Sequence, residues 1–462
     1  MTIPSGGPTI WYGPPTALPE NVPGLICVHA APEAAAFFAD RNLRRVQDVR
    51  IAVWNGRRIP FIFAPGPAGG ERGFGVEDGN LSLEAVDGDS GVDNVVHMPY
   101  DFLMSAFYFL SCWEETVIPD RDQHGRFPYA RSLAAQLNLS ENIVDLYLDL
   151  FISLLNLAGK GRWPHVEIPM WDGRFQFVAC LTHDIDEISK SRLSRLKFAW
   201  DHLVHPEAGH QRTPISARAQ FALATLFGRR DPYWSYPALA EAERRFGFTA
   251  SYFLQSAGRN GGTRYSLSDP RLRHFVTELL RDGFEVGLHG SYAAGFDAVR
   301  FAREKAALAA AIDEEPIGHR QHYLRMDYAT TFPIYEQAGL QYDATLGYAE
   351  HEGYRNQFSY PYHPYNHQEN RPFKFLELPT VIMDVTLAGY RQMPAEHAWQ
   401  VIRSWLEKVS GRRGCITLLW HNIWDGVYPG YFNLYPRVLS WVRDHDGIGL
   451  SGRDVYRLWM AR

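Results

Sequence analysis

No stretch of these 462 residues reaches the roughly eighteen uninterrupted apolar positions that a membrane-crossing helix needs, so an ordinary spanning segment is excluded. The opening run Met1-Thr2-Ile3-Pro4-Ser5-Gly6-Gly7-Pro8 has neither a basic nor an apolar region, so no secretory signal is expected and the protein is expected to be cytoplasmic. Cysteine is scarce. Cys27, Cys112, Cys180 and Cys415 are widely scattered, with no CxxC pair and no disulfide-framework spacing, and read as reduced, buried thiols. Excess positive charge is also missing: 46 Lys and Arg against 52 Asp and Glu leave a net charge of −6, which argues against a nucleic-acid partner.

What is present is globular in character, with 46% hydrophobic and 21% charged residues, in a chain longer than one hydrophobic core usually serves. Two folding units are expected. Aromatic residues make up 14%, and such rings either line carbohydrate sites or fill cores. Residues 1–165 mix strand-like runs (49–54, 59–64) with Pro- and Gly-rich turns. From Asp101 onward, Phe102, Leu103, Ala106, Phe107, Phe109 and Leu110 recur at helical spacing. A second helix over 141–157 is apolar nearly all round and is expected to be buried. The polar stretch 120–127 between them is either a solvated loop or a ligand contact.

Gly159-Lys160-Gly161-Arg162-Trp163-Pro164 marks a boundary. Beyond it, strand-like runs at 175–181, 248–254, 284–289, 316–323, 340–346, 375–385 and 414–421 alternate with amphipathic helices at 237–245, 270–282, 298–312 and 395–410. That alternation predicts a parallel sheet covered by helices, open or closed into a barrel, over 166–462, beside a smaller α+β domain over 1–165. An insertion at 188–230 carries eight Lys or Arg against two Asp or Glu, interleaved with apolar residues. It reads as basic amphipathic helices, either solvated or resting peripherally on an anionic membrane.

The chemistry concentrates at strand ends, where α/β folds place their sites. The run Phe177-Val178-Ala179-Cys180-Leu181-Thr182-His183-Asp184-Ile185-Asp186 ends in two carboxylates on alternate residues, which share one side of an extended chain. They either cap a helix or face a cation or an arginine. Glu285-Val286-Gly287-Leu288 ends in His289-Gly290-Ser291, Ile317-Gly318-His319-Arg320-Gln321-His322 puts Arg320 and His322 on one face, and Cys415-Ile416-Thr417-Leu418-Leu419-Trp420 ends in His421. Each histidine alone could be packed or capping. Together the four ends describe a hydrolytic metal site, with a carboxylate and two imidazoles for a cation, a second carboxylate as base and another imidazole as acid.

Thr182-His183-Asp184-Ile185-Asp186 resembles the first motif of the polysaccharide deacetylases (NodB-homology, carbohydrate esterase family 4). His289-Gly290-Ser291, Arg320-Gln321-His322-Tyr323 and Leu418-Leu419-Trp420-His421 resemble three later motifs, in family order over about 175–455. Residues 343–348 and 378–384 are similar to the intracellular bacterial branch that carries an extra N-terminal domain and serves surface-polysaccharide biosynthesis. The resemblance implies an α/β fold, a distorted (β/α)7-type barrel, and hydrolysis of N-acetyl groups on a sugar or glycan precursor.

It further implies Asp184 as base, Arg320 as the group that orients it, His421 as general acid, and Asp186 and His289 as metal ligands. The family's second metal histidine falls at Ala293. The expected replacement is His322, ahead of His319, His351 and His363; otherwise water completes the site, or the ion is lost and the chain is a silent binding module. The cation is expected to be zinc, with Co, Ni, Mn or Fe as other candidates. A carboxylate such as Asp425 or Asp384 would keep His421 protonated. Arg355, Tyr323, Tyr348 and Trp420 are the expected substrate contacts; the aromatic-rich run 348–365 suits either a sugar platform or a structural lid. Another metal amidase or a cyclic-imide hydrolase on the same barrel is the competing chemistry.

Overall fold

The computed structural model describes residues 9–13, 25–31, 49–62, 74–83, 85–87, 94–159, 170–189, 233–258, 262–422 and 430–462, with a few single positions between them. The chain divides into two compact units. One comprises Met1–Asp120, Ala130–Ile168 and Asn356–Phe358; the other comprises Arg121–Tyr129, Pro169–Arg355 and Ser359–Arg462. The polar loop after residue 120 therefore groups with the second unit. Nearly all of 188–230, and Asp425, lie outside the described residues. Among the described residues, no helix is long and apolar enough to cross a membrane, and all four cysteines are buried and free.

The first unit holds two small sheets. Strands β1 (Thr9–Gly13), β2 (Leu25–His29), β6 (Ala85–Asp87) and β7 (Asn94–Met98) are ordered β1-β2-β7-β6, while β3 (Val49–Trp54) lies between β4 (Arg57–Ile62) and β5 (Phe74–Asn80). Helix Phe102–Leu110 starts where the Asp101 carboxylate accepts the Met104 N–H. Helix Ile143–Ala158 buries Leu146, Leu150 and Leu154 against the same core but leaves Leu148 and Ile152 at the surface. The expected all-round burial is thus corrected to a one-sided packing, because β2, β4, β7 and the helix Phe102–Leu110 cover only part of its circumference.

The second unit is a curled parallel sheet wrapped by helices, a distorted (β/α) barrel. Its strands are β8 (Phe177–Ile185), β9 (Ser251–Leu254), β10 (Glu285–Gly290), β11 (Gly318–Gln321) and β12 (Tyr342–Asp343). A short hairpin, β13 (Tyr365–Asn366) with β14 (Arg371–Pro372), precedes β15 (Leu376–Glu377), β16 (Thr380–Met383), β17 (Cys415–Leu419) and β18 (Gly447–Leu450). The sheet order is β15-β12-β11-β10-β9-β8-β17-β16, with β18 also on β8. All nine residues of β8 are buried, as expected for a central parallel strand covered on both faces. The single run read at 375–385 is in fact two strands. Pro379 cannot donate to a ladder, so β15 pairs with β12 and β16 with β17, at opposite ends of the sheet order. Only Leu378 and Pro379 separate those two ends, so the sheet curls back on itself.

Helices bridge successive strands. Pro270–Arg281 begins with proline in its first turn and with the Asp269 carboxylate accepting the Arg271 and Leu272 N–H groups. Tyr236–Phe246 stops at Gly247, whose φ of +70° suits glycine.

Candidate metal centre

Parallel pairing aligns the carboxyl ends of the strands. Leu419 pairs with Thr182, Asp184 with Phe253, and His289 with Arg320, which brings Asp184, Asp186, His289, Arg320 and His421 to one rim. Alternation along β8 places Asp184 and Asp186 on the same side and His183 on the other. His322 arrives differently. The backbone turns sharply after β11, with Tyr323 (φ +65°) and Leu324 (φ +50°) both left-handed, a conformation that costs an L-residue roughly 1 kcal/mol or more. Gly290 permits a close approach, because a Cβ there would lie 2.8 Å from His319 Nε2.

One ligand atom each from Asp186, His289 and His322 falls within 4.8 Å of the others. Asp186 Oδ1 lies 3.3 Å from His289 Nε2 and 3.2 Å from His322 Nε2. His289 donates through Nδ1 to the Arg320 carbonyl at 2.9 Å, which leaves Nε2 as its lone-pair nitrogen. That Nε2 is fully buried and makes no aligned hydrogen bond. One carboxylate and two imidazoles, converging with a nitrogen that has no protein partner, fit a divalent cation of the zinc type with positions left over for water and substrate.

The carboxylates dominate the local electrostatics. Burial works against charge on Asp186, yet the adjoining His289 and His322 imidazoles hold its carboxyl well below the usual range. Burial also lowers His289, but Asp184 and Asp186 outweigh it and raise the imidazole above its ordinary value. Arg320, fully buried, donates from Nε to the Ala344 carbonyl at 2.9 Å and sets Nη1 at 3.7 Å from Asp184 Oδ1. Neither terminal nitrogen of Arg320 has a hydrogen-bond partner within the protein, nor does Asp184 Oδ1. His421 is clamped by Asp384, which accepts the backbone N–H at 2.6 Å and Nδ1–H at 2.7 Å. Burial pushes His421 down, but the Asp384 carboxylate overrides it and lifts the imidazole to about 9.

Asp184, Asp186, His322, Tyr323 and His421 line one cavity of about 380 Å³. The other expected substrate contacts lie elsewhere. Arg355 is buried, donating to the Gly347 carbonyl at 3.1 Å with its guanidinium over Phe127 and Tyr348; Tyr348 is buried beneath it, and Trp420 packs against Tyr435. None of these three is among the residues that line the cavity. The reserve histidines are engaged as well: His319 with Asp343, His351 with the Glu352 carbonyl, and His363 with the Phe375 carbonyl.

Sequence reasoning missed Gln255, which donates to Asp186 Oδ1 at 3.1 Å, although it directly follows an apolar strand, as Asp186 does. Arg126 and Tyr390 also reach the cavity. Arg126 bonds Asp122, the Tyr323 carbonyl and the Tyr390 hydroxyl, so the polar loop read at 120–127 touches the site.

A family of unknown function (DUF7033) matches residues 28–160. No curated protein matches the chain. Among solved structures, a protein assigned as a polysaccharide deacetylase from Mycobacterium smegmatis is 17% identical with a TM-score of 0.42, over 63% of this chain and 92% of that one. Puue allantoinase is 14% identical with a TM-score of 0.44, over 66% and 96%. A further polysaccharide deacetylase assignment, from Pseudomonas aeruginosa PAO1, is 15% identical with a TM-score of 0.43, over 66% and 97%. None of these likenesses bears on the role of a residue.

Proposed function

We propose that the chain is a metal-dependent hydrolase that removes the N-acetyl group from a sugar. The observation that carries this reading is the Asp186, His289 and His322 triad, flanked by an arginine-facing carboxylate and by a carboxylate-clamped histidine on the same rim. Held by that triad, a divalent ion, zinc first, supplies carbonyl polarisation and acidification of a water toward a pKa of about 7. Asp184 accepts the proton from the attacking water, and the Arg320 guanidinium beside it keeps that carboxylate aimed. Because Asp384 occupies Nδ1–H of His421, the ring's Nε2–H is the proton delivered to the departing amine nitrogen as the C–N bond breaks. Gln255 donates to the same Asp186 Oδ1 that the imidazoles approach and helps fix its orientation.

The test is acetate release by the zinc-loaded full chain from a panel of acetamido sugars, run beside small cyclic imides. Acetate is expected from at least one sugar; ring opening of an imide with no acetate from any sugar would overturn the reading. In the same proposal the partner is a saccharide precursor, and the basic 188–230 stretch meets an anionic membrane surface. Absence of co-sedimentation with anionic vesicles would remove the membrane contact alone.

A further inference from the structure

One side chain ties together the residues that flank the two imidazoles of the triad. Gln321 precedes His322, while Gly290 and Ser291 follow His289. The ladder between β10 and β11 ends at the Gly290 and Gln321 pair. At that end the Gln321 side-chain amide donates to the Gly290 carbonyl at 3.3 Å and to the Ser291 carbonyl at 2.6 Å. The Gln321 backbone N–H donates to Thr345 Oγ1 at 3.0 Å, which anchors the residue to the chain just after β12. Ser291 is held as well by Glu304 of the helix Ala298–Ile312, whose carboxylate accepts its backbone N–H at 2.8 Å and its hydroxyl at 2.5 Å. Gln321, Ser291 and Glu304 are all buried. The amide also has a shaped seat. A Cβ on Gly290 would fall 2.6 Å from Gln321 Oε1, and one on Gly295 would fall 3.1 Å from Gln321 Cδ. Neither glycine has a positive φ, so crowding, not backbone freedom, accounts for the missing side chains.

We propose that Gln321 is a positioning residue for the metal centre: its amide locks the backbone beside His289 to the backbone beside His322 and so sets the spacing of the two imidazoles. The inference rests on the reading of Asp186, His289 and His322 as a metal site. The residues that follow His289 give the triad no ligand, so a cation would not by itself hold this loop to the rest of the site. His289 is fully buried and bonded to the Arg320 carbonyl, so its ring is fixed by its surroundings. The His322 side chain is 24% exposed, and its approach to Asp186 depends more on where the backbone starts. Residue 321 supplies that start. A primary amide suits the task, because its two N–H donors serve two carbonyls while adding no charge beside a cation. Losing such a partner behind a metal ligand costs about 10- to 100-fold in metal affinity.

The test uses the full chain carrying Gln321→Met, which keeps the length of the side chain and removes both donors. Zinc affinity is read by competition with a chelator, and ligand geometry by the visible absorption of the cobalt-loaded chain. Zinc affinity is expected to fall about 10- to 100-fold, and the cobalt bands to change in position and intensity. Gly295→Ala crowds the amide without removing it and is expected to move both readings the same way by less. It carries the test alone should Gln321→Met fail to fold. Unchanged zinc affinity, a fall in affinity with the cobalt bands of the wild type, or a wild-type chain that binds neither metal would overturn the inference. A wild-type chain that binds zinc but releases acetate from no sugar would sink the deacetylase reading alone.

Discussion

Two buried histidine clusters lie on opposite sides of β8, and they differ in how fully their polar atoms are used. On one side His183 sets Nδ1 at 2.6 Å from the Trp420 carbonyl and Nε2 at 2.6 Å from Glu243, whose carboxylate also accepts from Tyr435 at 2.5 Å and Tyr252 at 2.9 Å. On the other side His289 uses only Nδ1, and its Nε2 looks toward Asp184 and Asp186 with no aligned bond. Both imidazoles are fully buried, on the strands β8 and β10 that flank β9. A saturated polar cluster holds the scaffold together, whereas one left short of partners inside the protein costs stability and is kept where something else completes it.

The comparison breaks first, and hardest, at the open cluster. Asp186→Ala and His289→Ala are each expected to lose bound zinc and all measurable acetate release, read by metal analysis of the purified chain. Asp184→Asn is expected to retain zinc while turnover falls roughly 10²- to 10⁴-fold; near-wild-type rates would reassign the base. At the closed cluster the effect moves from activity to stability. His183→Phe leaves Glu243 buried without its imidazole partner and should cost about 3–5 kcal/mol in denaturant unfolding, with metal content retained by the folded fraction. A His289→Ala variant that loses as much stability as His183→Phe would erase the distinction.

A subtler contrast is one of pH. His421 must carry its proton to act as acid, and Asp384 holds that proton up to about pH 9, so activity should persist through neutrality and fall as pH rises past about 9. Asp384→Asn removes the main opposing charge to burial, and the alkaline limb of kcat should move down toward the ordinary imidazole value near 6.5. An unmoved limb would mean that another group sets it.

Much of this was legible along the chain. Apolar runs that stop at Asp184, His289 and His421 are strand ends in the structure, and the βα alternation becomes a parallel curled sheet. Asp384 could be recognised by the same rule, standing directly after β16, and the structure pairs it with His421; Asp425, the other carboxylate considered, falls outside the described residues. Arg355 could not be placed along the chain, because a lone arginine in an aromatic loop looks the same on paper whether it lines a cavity or, as here, donates to the Gly347 carbonyl. Gln255 was passed over because an uncharged amide after a strand announces nothing until its partner is known.

What the sequence determined by itself was periodicity and punctuation: which segments are strands, which end in a charged or imidazole group, and therefore which groups can share a rim. Both come from local physics, the two-residue repeat of an extended chain and the burial of apolar runs. Tertiary structure alone decided which histidine comes beside Asp186 and His289, since this chain has Ala293 where a second histidine was expected. His319 and His322 are three residues apart on the same segment, yet one turns into Asp343 and the other, just before the left-handed turn at Tyr323, reaches Asp186. That outcome depends on strand register and on one costly backbone turn, which are properties of contacts between segments far apart in the chain.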